Sequence, residues 1–389
     1  MKTSKKIMAL ALAGTMAASS ASMVSVSAEP EKATIGVCFY QDTGKAPDAT
    51  KAFLESLSET LNVEFKYGTF TQTDEAANLT KVQELIASGV DGIIGTMDLG
   101  TNSILSECEA AGIYYGGYLC DFDTSYTTAY DDIFGNPNFV GTVADGHNPD
   151  DVCIGTQTFD SLIEYNERNA DNPITHVSLV IFPAWAFPAQ TTAAEQFISA
   201  ADEYNKTAET PITVDPLDEE VDVLNFAPLD STYFSKHPDT QAIISLAAGT
   251  SFVYPTMVSA GVDSDIKLFT TGADGGEENN FGSAGTQTYQ QIAYTGAESI
   301  IYPLVLMLNK INGTEFADMP EKAERIGTEQ YIANSDEDIK LFVNSLYNTG
   351  DAANAVYTPE DVLNMTAFGN SEATYSGLVE AVQSLTFEE

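Results

Sequence analysis

The chain has 389 residues, 43% of them hydrophobic, and a formal net charge of −41. Nucleic acid and anionic lipid bind proteins through basic patches, so a chain this acidic excludes both as partners. Only two arginines occur, Arg168 and Arg325, which argues against a multi-arginine clamp for a phosphate or polycarboxylate. The acidity itself is typical of a highly soluble protein, with adaptation to salt as the alternative.

The first 28 residues have the pattern of a secretory signal. Three lysines precede a short, mostly apolar stretch over 7–18, and Val26-Ser27-Ala28 resembles a cleavage site. The stretch is too short to span a bilayer, so we expect no stable membrane insertion. Cleavage after Ala28 would place the mature protein outside the cytoplasm, periplasmic or secreted. Cys38 lies well beyond this site, so no lipid anchor through a cysteine is expected.

Short apolar runs then alternate with amphipathic helical patterns. Strands are predicted over 34–39, 63–67, 90–97 and 113–120, and helices over 48–61, 73–89 and 101–111. Thr73 is the predicted N-cap of the second of these helices. Strands and helices that alternate at this spacing predict parallel pairing with right-handed crossovers.

The same pattern restarts after a polar stretch over 135–150. Helices are predicted over 151–166, 190–204, 253–260 and 297–308, and strands over 176–182, 212–215, 241–246, 267–271 and 286–291. The chain is longer than a single hydrophobic core usually supports, so we expect two lobes. We place the N-terminal lobe at 29–143 plus 290–315 and the C-terminal lobe at 144–289 plus 316–389.

The four cysteines, Cys38, Cys108, Cys120 and Cys153, are too few and too widely spaced for a disulfide scaffold or a CxxC metal site. Export permits a bridge between Cys120 and Cys153. Four buried, reduced thiols are the alternative. The three histidines have no metal-type spacing either, so neither a metal nor another cofactor is predicted.

Several helix-to-strand segments resemble those of type I periplasmic sugar-binding proteins, the substrate receptors of ABC importers. They are 84–94 (ELIASGVDGII), 110–113 (AAGI), 260–262 (AGV), 272–275 (GADG) and 295–297 (TGA). The resemblance implies an α/β fold of two Rossmann-like lobes with parallel sheets, joined by a three-strand hinge (periplasmic binding protein-like I). It places the crossovers near 140–146, 289–292 and 313–320. It also implies a small-molecule ligand, held between the lobes and passed to the permease subunits of an ABC transporter.

Ligands of open parallel sheets bind beyond the carboxyl ends of the strands, which selects the residues after each strand. In the first unit these are Tyr40, Gln41, Asp98 and Asp121. Tyr40 offers a flat face to a sugar ring, or else plugs the strand end. Asp98 and Asp121 accept hydrogen bonds from ligand hydroxyls, cap the next helices or face water.

In the second unit Trp185, the only tryptophan, follows a strand within FPAWAFP and forms either a cleft wall or part of the core. Asp274 and Gln290 correspond to ligand-binding positions that the resemblance implies. Two stretches depart from the family pattern. Residues 191–194 (TTAA) lack an expected arginine, and 247–249 (AAG) replace an Asn-Asp pair. Each lost charged hydrogen bond removes about 1.5–3 kcal/mol, which favours a less polar, aromatic-stacked ligand over a standard aldose.

The sequence contains no P-loop, HExxH, GxSxG or Rossmann GxGxxG motif, and we expect a binding protein rather than an enzyme. Glu277 and Glu278 resemble a glycosidase carboxylate pair but are expected to face solvent on a Gly-rich loop. The rival function is a secreted hydrolase with cleft carboxylates. Within the receptor class, a nucleoside, an amino acid or a chemosensory signal remains an alternative ligand.

Overall fold

The computed structural model describes residues 30–71, 73–122, 133–144, 154–272, 276–277, 280–281, 287–339 and 356–385, where the strands form two six-stranded sheets. The first sheet contains β1 (Ala33–Phe39), β2 (Val63–Thr69), β3 (Gly92–Gly95), β4 (Tyr114–Tyr118), β5 (Phe139–Ala144) and β11 (Arg325–Gly327). The strand order is β11-β5-β4-β3-β1-β2, and neighbouring strands are parallel. Apolar runs without alternation, as in β1 and β3, are buried on both faces, as predicted.

Two helical layers cover this sheet. One face packs against α1 (Lys45–Leu61) and α9 (Ile301–Ile311), which follows a 3₁₀ turn at Ala297–Ile300, and the other face packs against α2 (Glu75–Ala87) and α3 (Thr101–Ala111). The side chain of Asp74, rather than the predicted Thr73, caps α2 by accepting from the Ala77 N–H at 3.0 Å. No helix in the described part of the chain has the length and apolar character needed to cross a membrane.

The second sheet repeats the arrangement. It contains β6 (His176–Val180), β7 (Thr213–Val214), β8 (Ala242–Ser245), β9 (Lys267–Thr271), β10 (Tyr289–Tyr294) and β12 (Tyr331–Ala333) in the order β12-β10-β9-β8-β6-β7. Only the β10–β12 pair is antiparallel among the strand pairs described. Its helices are α4 (Ile154–Arg168), α5 (Pro188–Asn205), α6 (Tyr233–Lys236), α7 (Gly249–Phe252) and α8 (Tyr254–Ala260). The predicted fold class is confirmed.

The last part of the chain differs from the sequence prediction. It returns from β11 to β12 within 328–330, later than the crossover predicted at 313–320. Residues 316–389 were assigned to the second lobe, but α10 (Pro359–Asn364) and α11 (Tyr375–Gln383) lie against the first. Their buried side chains Val362, Leu378 and Val382 join the core between the first sheet and α1 and α9. The amphipathic faces of α10 and α11 do not reveal which sheet they cover.

A charged network fastens the edge of the second sheet. Asp215, just after β7, accepts from His176 Nε2 and His237 Nδ1, each at 2.6 Å, and His237 Nε2 lies 2.7 Å from Asp222 Oδ1. Burial opposes ionisation of Asp215, yet the hydrogen bonds from both histidines hold its pKa below the usual value. Burial raises the pKa of Asp222, against the effect of His237. The network ties 215–237 to the sheet.

One carboxyl group is buried in the first lobe with one of its oxygens lacking a hydrogen-bond partner among the described residues. Glu298 is fully buried in the turn before α9, its Oε1 accepts a long 3.5 Å bond from the Val356 N–H, and its Oε2 has no partner in the described structure. Burial raises its pKa from 4.5 to about 7. The fold therefore favours the protonated form, and this contribution to stability is lost as the pH rises from 4.5 through 7.

We predict that Glu298→Gln raises the free energy of unfolding relative to wild type at pH 8 but not at pH 4.5. A pKa raised from 4.5 to about 7 corresponds to about 3 kcal/mol of difference in the free energy of unfolding between the two pH values. Urea denaturation at both pH values measures it, with the exposed Glu209→Gln as control. An equal effect of Glu298→Gln at the two pH values would contradict the prediction.

Candidate functional site

Three candidate residues follow three adjacent strands of the first sheet. Tyr40 comes directly after β1, Asp98 shortly after β3, and Asp121 shortly after β4. These strands are neighbours in the order β4-β3-β1, so their carboxyl ends meet at one edge with about 4.8 Å between strands. The structure thus brings one aromatic ring and two carboxylates to the same edge of the first lobe.

The backbone around Asp121 is held in an unusual conformation. Leu119 and Phe122 both have left-handed backbones, with φ of 57° and 46°, which bulky residues rarely adopt. The Thr142 hydroxyl donates to the Cys120 carbonyl at 2.8 Å, so β5 fixes the turn. Strain of this kind persists only where the surroundings over-determine it, and it is concentrated at functional sites. Among the described residues, Asn62, Phe226 and Ala248 are the other non-glycine residues with positive φ, and Ala248 also lies shortly after a strand, β8.

A glycine makes room for this turn. A Cβ atom on Gly117, the residue of β4 that pairs with Thr142, would lie 2.2 Å from the Thr142 hydroxyl oxygen and 2.4 Å from the Phe122 ring. Phe122 belongs to the turn that presents Asp121, and Thr142 is the β5 residue that fixes this turn. The bare backbone at Gly117 is therefore a condition for the position of Asp121.

Arg325 is a site residue that sequence reasoning missed. It begins β11, and its Nη1 lies 3.4 Å from Asp121 Oδ1 and 3.5 Å from the Asp121 carbonyl. Asp121 is largely buried and Arg325 partly so, so the pair is shielded from water more than a surface ion pair. Because the partners are 204 positions apart, nothing near either one in the sequence signals their contact.

The other first-lobe candidates differ in exposure. Tyr40 is 46% exposed, and its backbone N–H donates to the Thr96 hydroxyl at 2.6 Å. Asp98 is buried, and its carbonyl accepts from the Thr101 hydroxyl at 2.5 Å, which ties it to the start of α3. Gln41 instead donates from Nε2 to the Thr43 carbonyl at 2.9 Å, so its side-chain amide serves the local turn.

The second lobe presents a cluster of aromatic rings at the end of β6. Trp185 is 50% exposed and packs on Phe226 at a centroid distance of 5.8 Å. Phe182 lies 5.2 Å from both Phe187 and Phe226, nearly parallel to the latter, and 5.0 Å from Phe252 edge-on. Trp185 is thus the outward ring of an aromatic stack, and its role as a cleft wall stays a prediction.

The two strand-end edges face each other. Phe187 of the second lobe packs against the first-lobe cluster that contains Phe70, Met97 and Phe122, as well as against its own lobe. In return Ala46, in the first turn of α1, packs against the second-lobe cluster. These contacts place the strand-end edges of the two lobes next to each other.

Two polar residues of the second lobe lie in the protein interior. Gln290 is fully buried near the start of β10, where its Nε2 donates to the Gln287 carbonyl at 2.7 Å. The strand end that reaches the cleft edge is Tyr294, because Ala293 pairs with Thr271 at the end of β9. Glu277 is fully buried rather than solvent-exposed. Asp274 and Glu278 lie outside the described residues.

The departures from the family pattern have packing reasons. A Cβ on Gly249 would lie 2.6 Å from the Thr270 hydroxyl oxygen, to which the Gly249 N–H donates at 2.8 Å. This turn after β8 therefore lies too close to β9 for a side chain. In α5, Ala193 is buried where a Cβ on Gly155 of α4 would approach its carbonyl to 2.0 Å. The helices α4 and α5 therefore pack too closely at Ala193 for an arginine at that position.

The described cysteines are buried, free thiols. They are Cys38, Cys108 and Cys120. Burial raises the pKa of the thiols of Cys38 and Cys108 to about 12, which keeps them protonated. Cys120 therefore matches the alternative of reduced thiols, while Cys153 lies outside the described residues.

A separate pocket of about 270 Å³ opens on the first lobe. It is lined by residues within 134–140, 306–310 and 314–323, between the loop before β5 and the C-terminal half of α9. None of the candidate residues contributes to it.

Comparisons with solved structures show the type I periplasmic-binding-protein fold. No protein-family model and no curated protein sequence matches the chain. An ABC-transporter solute-binding protein from Agrobacterium vitis, bound with α-D-tagatopyranose, superposes with a TM-score of 0.56 at 13% identity over 83% of this chain and 98% of that one.

Two further structures agree. A solute-binding protein from Burkholderia graminis in complex with D-arabinose has a TM-score of 0.52 at 12% identity, over 80% and 98% of the two chains. A glucose-galactose binding protein from Geobacillus stearothermophilus has a TM-score of 0.53 at 14% identity, over 78% and 98%. The predicted resemblance to periplasmic sugar-binding proteins is confirmed at the level of the fold.

We predict that Phe226→Ala makes Trp185 more accessible, because it removes the ring on which the indole packs. Acrylamide quenching of the single tryptophan should rise, and the free energy of unfolding should fall by at least about 1 kcal/mol. Phe252→Ala is the matched control, since Phe252 contacts Phe182. Equal quenching in wild type and Phe226→Ala would contradict the packing described.

Proposed function

We propose that this protein is an extracytoplasmic solute-binding protein, which captures a sugar in the interlobe cleft and delivers it to an ABC transporter. The observation that carries the proposal is the convergence of Tyr40, Asp98 and Asp121 at the ends of adjacent strands, opposite the aromatic cluster around Trp185. Carboxylates accept hydrogen bonds from sugar hydroxyls, and aromatic faces pack on the apolar face of a sugar ring.

Asp121 supplies the strongest polar contact in this proposal. Arg325 holds its carboxylate from one side, and the strained turn holds its backbone, so the acceptor is positioned before the ligand arrives. A preorganised acceptor loses little conformational entropy on binding, which raises affinity. Arg325 is thus a positioning residue for Asp121, and Asp274 stays a candidate on the second lobe.

The second lobe favours a ligand with an apolar face. Its strand ends offer Trp185 and Phe226, while the turn at 247–249 has no polar side chain. A sugar with few hydroxyls directed at this lobe fits, and a nucleoside or aromatic amino acid is the second candidate. An exported receptor also agrees with the signal pattern of residues 1–28 and with the net charge of −41.

A thermal-shift screen of the purified protein tests the proposal. The panel contains D-arabinose, tagatose, galactose, allitol, nucleosides and aromatic amino acids. Ligand at about 100 times Kd stabilises the folded state by about 2.7 kcal/mol, which raises the melting temperature. A rise in melting temperature with sugars alone supports the proposal. A rise confined to nucleosides or amino acids would keep the receptor function and assign it that ligand class instead. If no compound of the panel raised the melting temperature, or if the protein hydrolysed a glycoside, the proposal would be contradicted.

We predict that Asp121→Asn and Trp185→Ala each weaken binding of the best panel ligand at least tenfold, about 1.4 kcal/mol. The first change removes the charged acceptor and the second the exposed ring. Isothermal titration calorimetry measures the affinity, and circular dichroism checks the fold. Asp239→Asn is the control, because Asp239 is exposed at the opposite edge of the second sheet, before β8. Unchanged affinity in both site variants would refute this placement of the site.

A further inference from the structure

One aromatic side chain, that of Phe187, packs against both lobes. Phe187 directly precedes α5 in the second lobe, where its ring lies 5.2 Å from Phe182 and 6.3 Å from Phe226. It is also packed against the buried first-lobe cluster between the sheet and α2 and α3. A ring that packs on two separate cores removes apolar surface from water only while the cores are adjacent.

A first-lobe residue makes the reciprocal contact. Ala46 lies in the first turn of α1, just beyond the end of β1, and packs against the second-lobe cluster that includes Phe182 and Val253. The contact is therefore apolar from both sides. Its atoms all belong to the protein, so its formation requires no ligand.

We propose that Phe187 and Ala46 form an apolar latch that stabilises the closed arrangement of the lobes independently of ligand. The latch shifts the equilibrium between open and closed lobes toward closure before capture. A ligand that binds the closed form then uses less of its binding free energy to close the lobes. The latch goes beyond the proposed function, because it concerns the lobes alone.

Charge explains why such a contact needs to be apolar. The net charge of −41 is spread over both units of the chain, so the lobes repel one another when they approach. Longer-range ion pairs such as Arg325–Asp121 and Lys236–Asp218 join residues of the same lobe. Burial of apolar surface is attractive whatever the sign of the surrounding charge, so it opposes this repulsion.

Small-angle X-ray scattering of the purified protein, with no ligand added, tests the latch. Phe187→Ala and Ala46→Glu should each increase the radius of gyration and shift the interlobe part of the distance distribution to longer values. Phe234→Ala is the matched control. Phe234 is a half-buried ring of the same second-lobe cluster, it packs on Tyr233 at 5.6 Å, and its contacts lie within its own lobe's cluster. Its variant should scatter like wild type.

The two variants keep the test decisive. If Phe187→Ala loses its fold by circular dichroism, Ala46→Glu still tests the contact from the other lobe. Ala46 is only half-buried, and an acidic side chain in the first turn is favourable to the helix dipole, so α1 should remain intact. A radius of gyration equal to wild type in the folded variants would overturn the latch. Failure of the sugar proposal would leave this result unaffected, because no ligand takes part.

Discussion

Parallel strand pairing is the constraint on which the rest of this structure depends. Each β-α-β unit returns the chain to the same end of the sheet, so every strand of the parallel run ends at one edge. In the first sheet this collects Tyr40, Asp98 and Asp121, which are far apart in the chain, at the ends of β1, β3 and β4. In the second sheet it brings the segment after β6, with Trp185 and Phe187, to the facing edge.

The candidate site on the first sheet also depends on contacts with residues that are distant in the sequence. Asp121 receives Arg325 from β11, and the turn that carries it receives Thr142 from β5. The C-terminal helices α10 and α11 complete the core behind the same sheet. The tail therefore contributes to the position of a candidate ligand-binding carboxylate without lying in the cleft.

Local patterns predicted most of the strands, the longer helices before the tail and the fold class, because buried parallel strands are short apolar runs and their helices have one apolar stripe. They did not predict β5, β11 or β12. The strand-end rule also selected Tyr40, Asp98 and Asp121. Gln290 was selected by the family resemblance instead, and the structure places it near the start of β10, four residues before the strand ends at Tyr294. The strand-end rule could not find Arg325, Phe226 or Phe187, whose importance arises from contacts with distant segments. Glu277 was expected at the surface because its neighbouring sequence is polar. The tail was expected in the second lobe because an amphipathic helix does not show which sheet its apolar face covers.

In the proposed function, the ligand binds between the strand ends of the two lobes. A crystal structure of the protein with the compound that gives the largest thermal shift tests it most directly. We expect ligand density bordered by Asp98 and Asp121 on one side and by the Trp185 cluster on the other. Ligand density in the separate first-lobe pocket within 134–140, 306–310 and 314–323, with the interlobe cleft unliganded, would contradict it.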